Sequence, residues 1–404
     1  MTSEHWDVLN SIDVVTIVAT SPRPGTDFLQ SLLDFHPQVL TFDGWLFFHE
    51  FYYRAHSVYG TKNLLAGVGS DVDGDRLDNI NIRDFFYEFA WSHLHKFNSK
   101  YDDLESKGLL GKNHNECNVV DIDVFVDHAV CLIGSNELTS RNALLATYGA
   151  FSLARGEDLK TKKILLHQVH WPEYIPHLIG DFPGLKVIAC VRDPRIWGVT
   201  IMKYHNSIYH LSQTSIGSAS AFFRASVDGF NGLEKIKDKN IRVNVLEKLH
   251  DNPEKILRSL SSWLGIAFSD VLLKSTWNGK IWNGDSVSVG INKVFDSSRY
   301  KNTQKQWLVD LSIVDRIVMG SLMRKEIRSY NHNQEFNNAM WQLLVPLLIL
   351  VWTKYEVKLF FAIIRQGKYK FFPRFFKTIL SRYFFSYRKF VNNIMGNSTI
   401  RTCF

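Results

Sequence analysis

Two short stretches of the chain carry residues suited to holding a phosphate. Arg23-Pro24-Gly25-Thr26-Asp27 follows the β-branched run Asp13 to Thr20. Arg192-Asp193-Pro194-Arg195 follows the apolar run Lys186 to Val191, and Thr200 stands eight positions after its first arginine. A strand that passes through a tight turn into a helix aims several backbone N–H groups, and the positive end of the helix dipole, at one place. Arginine adds a planar fork that gives two hydrogen bonds to a single phosphate. Neither stretch has the G-x-x-x-x-G-K-[ST] form of a nucleotide triphosphatase, which disfavours a kinase-like reading.

The elements that must position these turns are legible as alternating strands and helices. Asp13 to Thr20 reads as a strand buried on both faces, and Phe28, Leu29, Leu32 and Leu33 recur at helical spacing until His36-Pro37 ends the pattern. Further strands are expected at Ile164 to His167, Lys186 to Val191 and Ile241 to Leu246. This alternation predicts an α/β fold, a mainly parallel sheet flanked by helices, with right-handed crossovers. Residues from about 60 to 157 read as a mostly helical insertion. Within it, Asp71-Val72-Asp73-Gly74-Asp75 reads as a solvated loop: with Gly74 at the sixth position of a calcium loop, the first and last ligand positions fall on Gly69 and Ile80.

Bulk properties narrow the function classes. With 45% hydrophobic residues and 22% charged residues over 404 positions, the chain can bury a large core. Its four cysteines lack metal-ligand or paired spacing, so no metal site or disulfide framework is expected and a reducing, cytoplasmic setting fits best. The polar N-terminus does not read as a signal peptide. The net charge of +7 is unevenly placed: the residues from Lys354 onward hold eleven Lys or Arg and one acid, for +10, leaving −3 for the rest. A slightly acidic body argues against a nucleic-acid partner.

Taken together, the motifs resemble the sulfotransferase family. Val187 to Arg195 with Thr200 is similar to its 3′-phosphate motif, a strand ending in R-D-P-R with a later hydroxyl residue. Ser21 to Asp27, followed by Leu32-Leu33-Asp34-Phe35-His36-Pro37, looks like its R-S-G-T-T loop and L-L-D-x-H-P helix end. Val243 to Gly265 resembles a third block, a scaffold in which Glu247 is placed to orient neighbouring groups. The resemblance covers roughly 14–330, with the long middle stretch unmatched. It implies a P-loop-like nucleotide-binding fold over residues 1–335, with the 60–157 insertion on the acceptor side. It implies the co-substrate 3′-phosphoadenosine 5′-phosphosulfate, no metal, and sulfuryl transfer to a hydroxyl or amine of a glycan, lipid or other metabolite.

Carried over residue by residue, Arg23, Gly25 and Thr26 hold the 5′-phosphosulfate, and Arg192 and Thr200 hold the 3′-phosphate. Arg23 also faces the bridging oxygen on which charge builds as sulfur leaves. Two positions depart from the pattern. Pro24 has no backbone N–H to give, and Asp27 either brings a negative charge to an anionic donor or turns aside to favour its helix N-terminus. A non-catalytic nucleotide-binding or interaction protein on the same fold is therefore the alternative reading. For the base that takes the acceptor's proton the family pattern points near Asp43, with His49 and Glu50 as neighbouring candidates; His167 falls at a strand end on the same side if the register holds.

The segment 336–404 reads as a tail. Met340 to Thr353 is apolar but interrupted by Gln342 and Pro346, short of the ~20 residues that span a bilayer. Lys354 to Phe390 then alternates Lys and Arg with Phe, Tyr, Ile and Leu. That pattern suits either a peripheral helix or hairpin on an anionic membrane surface or an apolar helix packed on the body with a solvated basic end.

Overall fold

The computed structural model describes residues 2–20, 24–42, 44, 46–53, 81–98, 110–113, 115–169, 174–193, 196, 238–282, 284, 294–295, 311–330, 339–394 and 403–404. In chain order the elements are α1 (Thr2–Ser11), β1 (Asp13–Ala19), α2 (Thr26–Leu33), β2 (Val39–Thr41) and α3 (Phe48–Tyr52). Then come α4 (Ile82–Ser92), α5 (Leu94–Phe97), α6 (Ile122–Ile133), α7 (Ser140–Ala154), β3 (Ile164–Val169), α8 (Ile175–Asp181), β4 (Lys186–Val191) and β5 (Ile241–Val245). The remainder comprises α9 (Leu246–Asp251), α10 (Pro253–Leu264), β6 (Thr276–Trp277), β7 (Lys280–Ile281), α11 (Ile313–Leu322), α12 (Arg324–Ser329), α13 (Ala339–Leu348), α14 (Lys354–Arg365) and α15 (Phe372–Ile394).

Five strands form one parallel sheet in the order β2-β3-β1-β4-β5, flanked by helices, as the sequence predicts. Its inner strands are buried almost without interruption, because helices cover both faces and alternation has no solvent side to mark. In register, Val14 pairs with Leu165 and Thr16 with His167, while Val39 on the edge strand pairs with Ile164. The edge strand β2 was not foreseen. The run Asp71 to Asp75 lies outside the described residues.

By contacts the chain sorts into two compact units. The first comprises Met1–Val18, Thr26–Ile188 and Pro253–Val294, and the second Ala19–Gly25, Ala189–Asn252 and Phe295–Phe404. In the first unit, helices start on side-chain caps: Asn81 accepts from the Arg83 N–H, Asp121 from those of Asp123 and Val124, and Thr139 from that of Asn142. Their apolar faces meet in an aromatic core, where Phe42 stacks on Phe151 at 3.8 Å and meets Tyr148 edge-on at 5.0 Å.

The L-L-D-x-H-P stretch proves to be a joint in that unit. The buried Asp34 accepts from the Thr276 hydroxyl and the Gly279 N–H, each at 2.9 Å, and His36 Nε2 pairs with the Ala267 carbonyl at 2.9 Å. Those contacts pin the end of α2 to the β6–β7 hairpin. Burial pushes the Asp34 carboxyl up, opposed by these donors and by Arg155.

In the second unit, α11 and α14 each open with a capping box, Ser312 with Asp315 and Thr353 with Glu356. Helices α11 to α13 pack with α15 around Val318, Met319, Leu322 and Val345, while α14 and α15 close on Leu359, Ile363 and Phe375.

Candidate functional site

Strands β1 and β4 are neighbours in the sheet, so the two expected phosphate turns leave from adjacent strand ends. Thr20, the residue after β1, fixes the junction: its N–H donates to the Cys190 carbonyl at 3.3 Å and its hydroxyl to the same oxygen at 2.7 Å. The exit of β1 is thereby tied to the last residues of β4. In open parallel sheets ligands bind beyond these carboxyl ends, where strand connections diverge to either side.

The exit of β5 supports both turns. Gly25 has φ +88°, and a Cβ there would stand 2.6 Å from Leu246 Cδ1. Glycine is therefore required twice over, for a left-handed backbone and for close approach to the first residue of α9. The next residue, Glu247, is buried and accepts the Asp193 N–H at 3.0 Å, bracing the second turn. This is the orienting task the sequence suggested for Glu247. Arg192 is partly buried at the head of the same turn.

Thr26 and Asp27 open α2, with Thr26 buried. The Asp27 carboxylate accepts from the Gln168 amide at 2.8 Å. It also lies near Lys96: a Cβ on Gly44 would meet Lys96 Nζ at 3.2 Å and an Asp27 oxygen at 4.0 Å. The charge that looks repulsive in the sequence thus has an amide donor. Arg23, Asp43 and Thr200 lie outside the described residues.

Of the candidate bases, His49 and Glu50 both lie buried in α3. The His49 ring stacks on Tyr174 with centroids 5.5 Å apart and lies 5.6 Å from His167 and 6.4 Å from His177. His167 Nδ1 is 2.8 Å from the Tyr148 hydroxyl. Burial holds the Tyr148 hydroxyl well above its usual range, so it remains protonated beside this nitrogen. Burial, then His177, pushes His49 down to about 3, and burial, then His49, holds His167 well below the usual imidazole range. Both rings are neutral at pH 7. Their Nε2 atoms have no hydrogen-bond partner among the described residues.

Successive strand residues point to opposite faces. His167 accordingly meets α3 and α7, while Gln168 meets the start of α2. The structure brings the His49 and His167 rings together and gives Asp27 a partner that the sequence did not single out. Tyr148, Tyr174, His177, Gln168 and Lys96 carried no local signal, since each reaches its neighbour across a long stretch of chain.

Three solved structures that this chain resembles are sulfotransferases. The sulfotransferase domain of the curacin biosynthetic pathway matches at 14% identity and a TM-score of 0.40, covering 74% of this chain and 97% of that one. The sulfotransferase domain of the Synechococcus olefin synthase matches at 13% and 0.36, over 74% and 88% of the two chains. A sulfotransferase from Mycobacterium avium matches at 11% and 0.32, over 77% and 80%. No family model matches the sequence, and no curated protein matches it.

Proposed function

We propose that the protein is a sulfotransferase that moves the sulfuryl group of 3′-phosphoadenosine 5′-phosphosulfate to a hydroxyl or amine of a glycan, lipid or other metabolite. The observation that carries this reading is the joint of β1 and β4. Two phosphate-type turns leave adjacent strand ends, are tied through Thr20 and Cys190, and rest on consecutive residues of α9. The donor set fits two phosphate groups: a glycine-led helix N-terminus at one turn and an arginine at the other.

In this reading Arg23, Gly25 and Thr26 hold the 5′-phosphosulfate, while Arg192 and Thr200 hold the 3′-phosphate. The bound donor supplies the group to be transferred. Arg23 stabilises the charge growing on the bridging oxygen. Gln168 keeps the Asp27 carboxylate engaged, which limits its repulsion of the donor. The acceptor's proton passes to a base in the Asp43 to Glu50 stretch. Its three candidates are Asp43, His49 and Glu50, of which the His49 imidazole is neutral at pH 7.

Calorimetry with 3′-phosphoadenosine 5′-phosphate tests the site. Arg192→Ala is expected to weaken binding by roughly 1.5 to 3 kcal/mol, the worth of a charge-assisted hydrogen bond. No binding by the unaltered protein would sink the reading. Transfer of labelled sulfate from the donor to lipid and polysaccharide extracts then separates an enzyme from a nucleotide-binding protein. His49→Gln should lower kcat and leave the nucleotide Kd unchanged.

A further inference from the structure

We infer that the segment 339–394 is a lipid-binding surface that seats on an anionic membrane leaflet without crossing it. The inference goes beyond the transfer reaction and does not depend on the donor site.

Helix α15 is buried on one face and apolar on an exposed one. One face, Phe375, Thr378, Ile379, Arg382 and Ser386, is buried. On the other, Phe376, Leu380, Phe384, Val391 and Ile394 recur at helical spacing and stand exposed, with Leu380 at 66% and Phe384 at 63%. An amphipathic helix packed on a soluble body turns a polar face outward. Here the outward stripe is itself apolar.

The neighbouring helices repeat the pattern. Val357, Phe361 and Ile364 form an exposed stripe on α14, and Leu343, Leu347 and Leu350 form another that begins on α13 and runs just past it. Exposed apolar patches of this extent mark an interaction surface.

Charge selects the partner. Residues 339–394 contain ten Lys or Arg and a single acid, Glu356. That acid is buried and ion-paired with the equally buried Arg382 at 2.6 Å, so no acidic side chain of the segment faces outward. Lys358, Arg365, Lys370, Arg374, Lys377 and Arg388 are all exposed. Apolar stripes flanked by Lys and Arg, with aromatic rings such as Trp352 and Tyr369 at their margins, match a bilayer interface with anionic headgroups.

The depth is limited. Among the described residues no helix is long and apolar enough to cross a membrane. The Arg382 side chain also donates to the Ile349 and Val351 carbonyls at 2.8 and 3.1 Å, and the Tyr383 hydroxyl to that of Leu350 at 2.8 Å. The hairpin is thus fixed before it meets lipid and docks as a folded surface.

The full-length protein should co-sediment with vesicles of phosphatidylcholine mixed with phosphatidylserine and remain in solution with phosphatidylcholine alone. Raising the salt should release it, because headgroup attraction is screened. The double variant Leu380→Glu with Phe384→Glu alters only exposed positions and should lower vesicle affinity on the order of tenfold or more. Its circular dichroism and nucleotide binding should match the parent. Three outcomes overturn the inference: no sedimentation with phosphatidylserine, undiminished sedimentation of the double variant, or a protein dimer in ultracentrifugation that the double variant dissolves.

Discussion

Four histidines of the first unit and the ion pair of the C-terminal hairpin are drawn out of water, yet they are accommodated by different physics. His49, His93, His95 and His167 are held neutral, with values near 3, 4 and 2 for the first three and well below the usual range for the fourth, and burial is the leading cause in each. Aromatic rings surround them, as where His93 stacks on Phe89 at 4.3 Å. Glu356 and Arg382 instead remain a pair, with the guanidinium shared among one carboxylate and two carbonyls. Burial raises the Glu356 carboxyl and Arg382 opposes that rise. A titratable group inside a protein either surrenders its charge or is given a complete set of partners.

The largest effect that separates the two regions should come from breaking the pair. Arg382→Ala leaves a carboxylate buried without its cation and should cost about 3 to 5 kcal/mol, read from urea unfolding at neutral pH. Glu356→Gln combined with Arg382→Met should recover most of that loss. If the double variant were no better than the single one, packing rather than charge would be what the pair supplies.

The ion pair and the histidines should respond to pH with opposite sign: the raised Glu356 carboxyl favours the fold as pH falls, whereas the depressed histidines disfavour it. Their folded pKa values lie below the unfolded value of about 6.5, so the unfolded state binds more protons in acid. Their stabilisation is complete above about pH 6.5 and is lost progressively as pH falls toward the folded values, at about 1.4 kcal/mol per pH unit for each histidine. Urea unfolding from pH 7 to 5 should show this slope, and His167→Gln should remove one histidine's share of it. A stability that stays flat over this range would mean the rings titrate in the fold as they do in the unfolded chain.

The smallest effect concerns the single hydrogen bond within the histidine group. Tyr148→Phe removes the partner of His167 Nδ1 and should cost roughly 1 kcal/mol at pH 7, measured by the same unfolding experiment. An unchanged midpoint would show that the imidazole turns to find another partner.

Much of the fold was legible because four strands are short runs rich in Val, Ile and Leu between polar breaks. The expected ends for β1, β3, β4 and β5 fall within two residues of those observed. Strand β2 escaped notice because three residues after His36-Pro37 set up no pattern. The site was legible only in part. Gly25 announces its turn through type and position, whereas Asp27 announces a charge and not the Gln168 that answers it. Asp34 likewise reads as a helix end, and the partner that explains its burial, Thr276, lies 242 positions away in sequence. Local periodicity carries no information at such separations.

Cys190 lies under the junction of the two turns, wholly buried, with its carbonyl taking both Thr20 donors and the Asn244 amide 3.9 Å from its sulfur. Cys131, by contrast, is exposed. A thiol reagent should therefore modify Cys131 at once and Cys190 only during excursions in which the ends of β1 and β4 part. The chain thus carries a native clock for the breathing of that junction, and a nucleotide seated above it should slow the clock.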